Sequence, residues 1–370
     1  MHTCDRGVAS AAVSRPILIT TLAVALVLSA CSGSEAEPTT TSAAPTTSPT
    51  TTSTSSTTTT EPPPTTLTLE SDLPEGMVRE AELLYSHLID QANPAPARAP
   101  DTLVRHLVQA GVTRTAGTAS AEGSMAELSN GDRVGVITTG DDALVMMDDG
   151  SGWTIVGAIV DGARPWLGQP RQRRLVVLGS DARVGEDQLM LRADSVHLLT
   201  MRSRTGEGAF LGFPRDSWVR GSKLTNIMPI GGPDLMVEVI TEVSGIQPEG
   251  WVAVGFEGFL GLMEELGSLE IDLPTEMRSG NNWDDYPAGS QVLTPQLALR
   301  LARIRKGLPA GDFDRSYNQG LIVEAAMTML QTIGIEELPR WVKAFDTHGF
   351  TNLDTEALTT FAALTYITSP

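Results

Sequence analysis

The chain has 370 residues, room for two modest domains plus non-globular segments. With 45 acidic and 26 basic residues, its formal net charge is −19, which argues against a nucleic-acid partner, since such binders carry a basic face. Its two cysteines, Cys4 and Cys31, both lie near the N-terminus, so the folded part holds no disulfide and no thiolate metal site.

The first element is an export signal. Arg6 and Arg15 precede the apolar run PILITTLAVALVLSA at 16–30. That run is shorter than the roughly 20 residues of a spanning helix, as in a signal peptide. It ends Leu28-Ser29-Ala30-Cys31, a pattern that resembles the bacterial lipobox, whose cysteine is acylated after cleavage. Residues 1–31 are therefore expected to be a lipoprotein signal peptide, with an ordinary secretion signal or an uncleaved anchor as the alternatives. Residues 32–67 are rich in Thr, Ser and Pro and carry almost no apolar side chains, the composition of a disordered tether. Such a tether serves as a spacer or as a substrate for O-glycosylation.

The folded chain begins with apolar residues at helical spacing over 75–92, then a second helix over 101–111 with Asp101 as N-cap and Gly111 as C-cap. The Val- and Ile-rich runs 133–140, 142–150 and 153–162, separated by GDD and DDGSG turns, predict a meander of strands. Residues 68–167 thus read as a small α+β domain, and the DDG turns lack the ligand spacing of a calcium loop. From 172 to 370 strands mix with helices: RRLVVLG, SVHLLTM and GAFLGF as strands, a helix over 234–244 closed by Gly245, a further strand and helix, then SLEIDLP. Thr294-Pro295 opens a helix as an N-cap and N1 pair, and 316–333 forms an apolar-faced helix. Hairpin-length links between the early strands exclude a purely parallel sheet. The expected fold is α/β, a three-layer α/β/α sandwich with a mixed central sheet, preceded by the small α+β domain.

Five segments, in order, carry the chemistry: LGSDAR (178–183), RADS (192–195), PRD (214–216), KLTNIMPIGGP (223–233) and RIRKGLPAGDFDRSYNQ (303–319). Together they resemble the LytR-CpsA-Psr family of cell-wall glycopolymer ligases, over residues 172 to about 335 and, through LPRWVKAF and LDTEALTTFAALTY, toward the C-terminus. The resemblance implies a transferase that moves a glycopolymer from a polyprenyl-pyrophosphate carrier to peptidoglycan by phosphoryl transfer. It also implies an apolar lipid cavity between sheet and helices, for which DLMVEVI and FLGLMEEL are candidate walls. A lipid anchor departs from the family's usual transmembrane helix but keeps the chain on a membrane, in the extracytoplasmic envelope.

The residues suit that chemistry. Guanidinium forks match phosphate oxygens bidentately, and Arg192, Arg215, Arg303, Arg305 and Arg315 sit at element ends where they can converge. Few acids are expected beside them; the alternative is that they pair with Asp194, Asp216, Asp312 and Asp314. Asp181 and Asp194 are candidates to hold Mg²⁺ (or Mn²⁺), or else fill turn roles. Arg192 cannot act as a base and is assigned to stabilising charge on the transferred phosphate. Gln319 and Lys223 are further candidate pyrophosphate contacts, as Asn226 is for phosphate or sugar oxygens. His197, mid-strand among apolar residues, reads as a core histidine before a general base. Two other functions remain open: a non-catalytic lipoprotein that binds polyprenyl phosphate or wall polymer, and a polyprenyl-pyrophosphate phosphatase, in which water replaces the acceptor.

If Cys31 is acylated, Cys31→Ser leaves an uncleaved or soluble form; unchanged mature mass and unchanged membrane fractionation by mass spectrometry and immunoblotting would refute it.

Overall fold

Residues 65–278 and 285–369 are described in the structure, a computed structural model. The signal peptide, Cys31 and the linker through residue 64 lie outside the described residues. Among the described residues no helix is long and apolar enough to cross a membrane.

The first part opens with β1 (Leu67–Glu70), α1 (Glu75–Ile89) and α2 (Asp101–Gln109), followed by β2 (Gly117–Ser120), which pairs in parallel with β1. Pro100, not Asp101, occupies the N-cap of α2; Asp101 lies in the first turn, where its charge complements the helix dipole. The expected meander is present as β4 (Arg133–Thr139), β5 (Asp142–Asp148) and β6 (Trp153–Ile159). It is flanked by two strands absent from the sequence reading, β3 (Glu122–Glu127) and β7 (Trp166–Leu167), giving an antiparallel sheet in chain order. The DDGSG turn is closed by Asp148, whose Oδ1 accepts from Gly150 N (2.8 Å) and Gly152 N (2.9 Å).

The second part is built on β8 (Gln172–Ser180), β9 (Ala193–Arg202), β10 (Glu207–Gly212), then the small hairpin β11 (Trp218–Val219) and β12 (Ser222–Lys223). Helix α3 (Met228–Ser244) leads to β13 (Gly250–Val254), α4 (Phe256–Leu266) and the hairpin β14 (Leu269–Leu273) and β15 (Gly289–Leu293). Helices α5 (Pro295–Arg303), α6 (Asp312–Ile333) and α7 (Leu338–His348), strand β16 (Phe350–Thr351) and α8 (Thr355–Thr365) complete it. The central sheet runs β10-β9-β8-β13-β16, antiparallel except for β8 with β13, so it is mixed as expected. Inside α3, Gly231 and Gly232 break the helix; Gly232 at φ 70°, ψ −170° occupies a region essentially reserved for glycine, which accounts for the IGGP sequence.

Alternation along the strands sorts side chains into layers. Val176, Leu178, Val196 and Leu198 pack against Met236, Val239 and Ile240 of α3. Leu175, Leu199 and Met201 face the opposite way, onto Met327 of α6, Val342 of α7 and Phe361 of α8. That is the three-layer α/β/α sandwich. The same apolar cluster continues into the first sheet through Val134, Val136, Val145 and Val156. Its other face, with Ile137, Leu144, Met146 and Ile155, is covered by Met77 and Leu84 of α1 and Leu103 and Leu107 of α2. The two sheets therefore share one helical layer.

Two buried polar side chains sit in these layers. Arg173 is 2% exposed, its Nε donates to Glu249 (2.6 Å), its Nη1 donates to Thr360 (3.0 Å), and it stacks on Phe361 at 4.4 Å. His197 stacks on Phe210 (4.4 Å between centroids), shares a 3.0 Å hydrogen bond with Ser195 Oγ through Nδ1, and reaches Ser316 O of α6 through Nε2 at 3.2 Å. Gly212 lets this happen, since a Cβ there would stand 2.1 Å from Ser316 Oγ.

Arg173→Ala takes the cationic partner from Glu249 and empties the space on the Phe361 ring, and should cost about 3 kcal/mol in urea unfolding. Burial pushes His197 down from 6.5 to about 4, although its bond to Ser316 opposes this. The stability gained by holding it neutral is complete above pH 6.5 and is lost as pH falls through 6.5 toward about 4. That loss is on the order of 3 kcal/mol, and the stability difference between the wild type and His197→Gln should shrink by that amount over this window. A difference that stays constant from pH 7 to pH 4 would refute it.

Candidate active site

The sequence-predicted residues meet at one end of the central sheet. β8 ends at Ser180 and β9 begins at Ala193, and the connecting segment is tied at its base: Asp181 N donates to Arg192 O (2.9 Å) and Arg192 N donates to Asp181 Oδ1 (3.1 Å). The pairing register slips there, Gly179 facing Ser195 and Ser180 facing Ala193, which leaves Asp194 as the extra residue of a bulge. In an unbroken strand Asp194 and Ser195 would point to opposite faces; with the bulge both line the same cavity. Burial and the neighbouring charge of Asp194 raise the Asp181 carboxyl above its ordinary value, while Arg192 and Arg215 partly oppose them.

The PRD segment follows β10. Arg215 forms an ion pair with Asp194, and its carbonyl accepts from Thr225 N (2.9 Å), which fixes the segment to the KLTN motif. Asp216 receives Arg305 (2.6 Å) and Lys223 (3.1 Å). Burial works against its charge, but Lys223 and Arg305 hold it below the usual carboxylate range. Its backbone N–H donates to Asp312 (3.4 Å), the first residue of α6, and Asp312 pairs with Arg315 one turn on. Arg315 is 4% exposed; burial and the charges of Arg215 and Arg305 lower its pKa, and Asp312 and Asp194 oppose them. The ion pairs tie Arg215, Arg305 and Arg315 to Asp194, Asp216 and Asp312 in turn.

This corrects the expectation of few acids. Asp194, Asp216 and Asp312 each pair with an arginine, whereas Asp314 Oδ2 accepts from Ala310 N (2.7 Å) and serves the turn before α6. Pairing is nevertheless incomplete: Arg215 Nε and Arg315 Nε are buried with no hydrogen-bond partner among the described residues. An N–H left unsatisfied in a charged group is costly, and an acceptor placed between them relieves it.

Beside these donors lies a cavity of about 130 Å³. Its polar rim is Ser180, Asp194, Ser195, Arg303, Arg315 and Gln319; its depth is Val177, Phe256, Phe259, Leu299, Ile322 and Val323. The Arg303 guanidinium lies 4.4 Å from the Phe256 ring, and Gln319 Nε2 donates to Ala302 O (3.0 Å), so both are fixed by α4 and α5. Of the two stretches expected to wall a lipid cavity, FLGLMEEL contributes Phe259; DLMVEVI does not, because Met236, Val239 and Ile240 face the other side of the sheet. Arg192 is exposed at the rim next to Asp181, Lys223 is exposed beyond Asp216, and Asn226 donates only to Ser222 (3.4 Å). Ser180 and Ser195 lie within the LGSDAR and RADS segments and Phe259 within FLGLMEEL, but nothing in the sequence singles out the serines or Phe256 as site residues, since their place depends on the bulge and on helix packing. A second cavity, of about 370 Å³, lies on the other side of α6, between Phe210 of β10 and Tyr317, with His197 in its wall.

The profile of the LytR_cpsA_psr family matches residues 169–367. The protein named Polyisoprenyl-teichoic acid--peptidoglycan teichoic acid transferase TagU of Bacillus mycoides is 26% identical over 159 residues, 41% of this chain and 51% of that protein. TagU of Oceanobacillus iheyensis is 29% identical over 164 residues, 41% and 50% of the two chains. "Probable cell wall biosynthesis protein LcpB" of Corynebacterium glutamicum is 28% identical over 190 residues, 50% and 43%. The chain thus spans about half the length of the curated relatives it matches. Among solved structures, B. subtilis TagV aligns with a TM-score of 0.45 and 24% identity, over 54% of this chain and 80% of that one. With a family profile that spans more than half of its length and all five motif segments, this chain belongs to the LytR_cpsA_psr family.

Proposed function

We propose that the chain is a phosphoryl-glycan transferase, which moves a glycopolymer from a polyprenyl-pyrophosphate carrier to cell-wall peptidoglycan. The observation that carries this reading is the pair of buried guanidinium Nε groups on Arg215 and Arg315, unpartnered among the described residues: Arg315 lines an otherwise apolar cavity, and Arg215 pairs with Asp194 at its polar rim. A lipid-linked pyrophosphate has the matching parts, a doubly charged head and an apolar tail. The cavity is smaller than the roughly 300–1,000 Å³ of pockets that enclose a drug-sized ligand. It holds only the part of a long prenyl chain next to the phosphate.

Arg215 and Arg315 bind pyrophosphate oxygens through their free Nε–H groups. Arg303 and Gln319 flank them at the rim, and Arg305 and Lys223, oriented by Asp216, add positive charge outside it. An acceptor hydroxyl attacks the phosphorus bonded to the glycan, the anhydride bond to polyprenyl phosphate breaks, and a phosphodiester joins glycan to wall. Exposed Arg192 stabilises charge on the transferred phosphate and cannot take the proton. Asp181 and Asp194 suit Mg²⁺ or Mn²⁺: they are hard oxygen donors, and the Asp181 carboxyl, raised by burial first and by the Asp194 charge second, would gain from a cation beside it. Bound there, such an ion would neutralise phosphate charge. Acylation of Cys31 would hold the site on the membrane that carries the donor, in the extracytoplasmic envelope.

The test is the purified full chain with a polyprenyl-pyrophosphate-linked glycan, with and without a peptidoglycan fragment. Transfer is expected only with the acceptor present. Charge-assisted hydrogen bonds of roughly 1.5–3 kcal/mol each predict that Arg303→Ala and Arg215→Ala weaken kcat/KM by about tenfold to a hundredfold. Arg192→Ala should act mainly on kcat, and Arg215→Lys should stay impaired because the fork is lost. Phosphate release without acceptor would replace the proposal with a hydrolase, and full transfer by Arg215→Ala would remove the assigned site.

A further inference from the structure

The opposite end of the central sheet holds a second concentration of arginine. Arg171 immediately precedes β8, and Ser203 and Arg204 immediately follow β9. The two are locked together, because Ser203 N donates to Arg171 O (3.0 Å). Arg164 approaches from the loop after β6, where its carbonyl is hydrogen-bonded to His106 Nε2 of α2 (2.8 Å). Arg164, Arg171, Arg204 and His106 line one cavity of about 180 Å³, with Gln169 beside them. β8 alone has 9 residues, so the candidate active site lies a full strand away, about 30 Å at ~3.3 Å per residue.

Several arginines elsewhere in the fold rest on acids, as Arg114 does on Asp142, Arg133 on Asp148, Arg173 on Glu249 and Arg202 on Glu207, while others such as Arg174 and Arg98 meet neutral groups. Arg164, Arg171 and Arg204 have no ion pair among the described residues, in a chain whose net charge is −19. Three like charges around one concavity repel, and no acid from β8, β9, α2 or the loops lines the cavity to offset them. The carbonyls of Arg164 and Arg171 are engaged, so the backbone explains where these residues sit but not why they are cationic.

We propose that this cavity is a second anion site, which takes a phosphate monoester, pyrophosphate or phosphodiester group of a soluble polyanion. Guanidinium forks fit a tetrahedral oxyanion, and three of them suit a multiply charged group over a single carboxylate. A membrane surface fits less well. Surface-bound sites combine basic residues with apolar side chains that enter the lipid, and the large exposed apolar residues are elsewhere, among them Val184, Met190, Leu211 and Trp218. The site is independent of the transfer reaction and stands without it.

Hydrogen exchange of the full chain, read by peptide mass spectrometry, tests this with inorganic pyrophosphate and then long-chain polyphosphate as probes. Protection is expected over 163–171 and 203–206, weakening as salt rises. Peptides 178–183 and 192–195 report the candidate active site separately, so either site can fail alone. Arg171→Gln with Arg204→Gln, both exposed positions, should leave the urea midpoint unchanged and weaken the local protection by about tenfold or more. The corresponding double Lys variant keeps the charges without the forks and should fall between. No protection with either probe, protection that survives the Gln variant, or protection produced only by anionic phospholipid vesicles would each overturn the proposal.

Discussion

The apolar layer between the two sheets constrains everything else in the fold. Val134, Val136, Val145 and Val156 from one sheet and Leu175, Leu199 and Met201 from the other meet on Leu338, Val342, Phe361 and Leu364. At roughly 25 cal/mol per Å² of apolar surface buried, such a layer outweighs any single polar contact in the molecule. It also fixes the rotation of every central strand, because a one-residue slip would turn valines outward and Asp or Arg inward. Arg173 is tolerated within it only because Glu249, Thr360 and the Phe361 ring meet its charge.

Once the strands are fixed, their ends become rigid platforms. At the end formed by Ser180 and Ala193 the charges come in an alternating belt, Asp194 with Arg215, Asp216 with Arg305 and Lys223, Asp312 with Arg315. Alternation keeps several like charges close without unfolding the loops that carry them. It leaves the buried Nε groups of Arg215 and Arg315 without a hydrogen-bond partner among the described residues. The belt is a structural clamp between β9, β10 and α6, and under the proposed function it would also act as a preorganised receptor, since donors already held in place need no reorganisation when an anion arrives.

Helix α6 joins this chemistry to the apolar cavity behind it. Its first turns present Asp312 and Arg315 at the rim, and its middle presents Ile322 and Val323 to the cavity. One helix thus aligns a polar and an apolar zone along its own axis, with Gln319 at the boundary. Gly212 permits the close approach of α6 to the sheet, where His197 bonds to Ser316. Changes at that contact would move the rim and the cavity wall together.

Much of this was legible in the chain itself. Val- and Ile-rich runs marked the strands that the structure places at 133–139, 142–148 and 172–180, and the Thr294-Pro295 pair marked the helix at 295–303, because such local signals need no partner to be read; the helix at 338–348 is expected only from the family resemblance of LPRWVKAF. Thr294 caps its helix as its sequence context predicts, with its Oγ1 accepting from Leu297 N. The arginines and aspartates of the site were legible as residue types in ordered motifs. Short strands such as β3, β7 and β16 were not, since they exist only through pairing with a neighbour. Tertiary structure alone decided the bulge that swings Asp194 into the cavity, the aspartate partner of each arginine, and the face to which α3 turns its apolar stripe. The physical reason is the same in each case: composition and spacing set which groups a segment carries, while register and packing across the sheet set which of them meet.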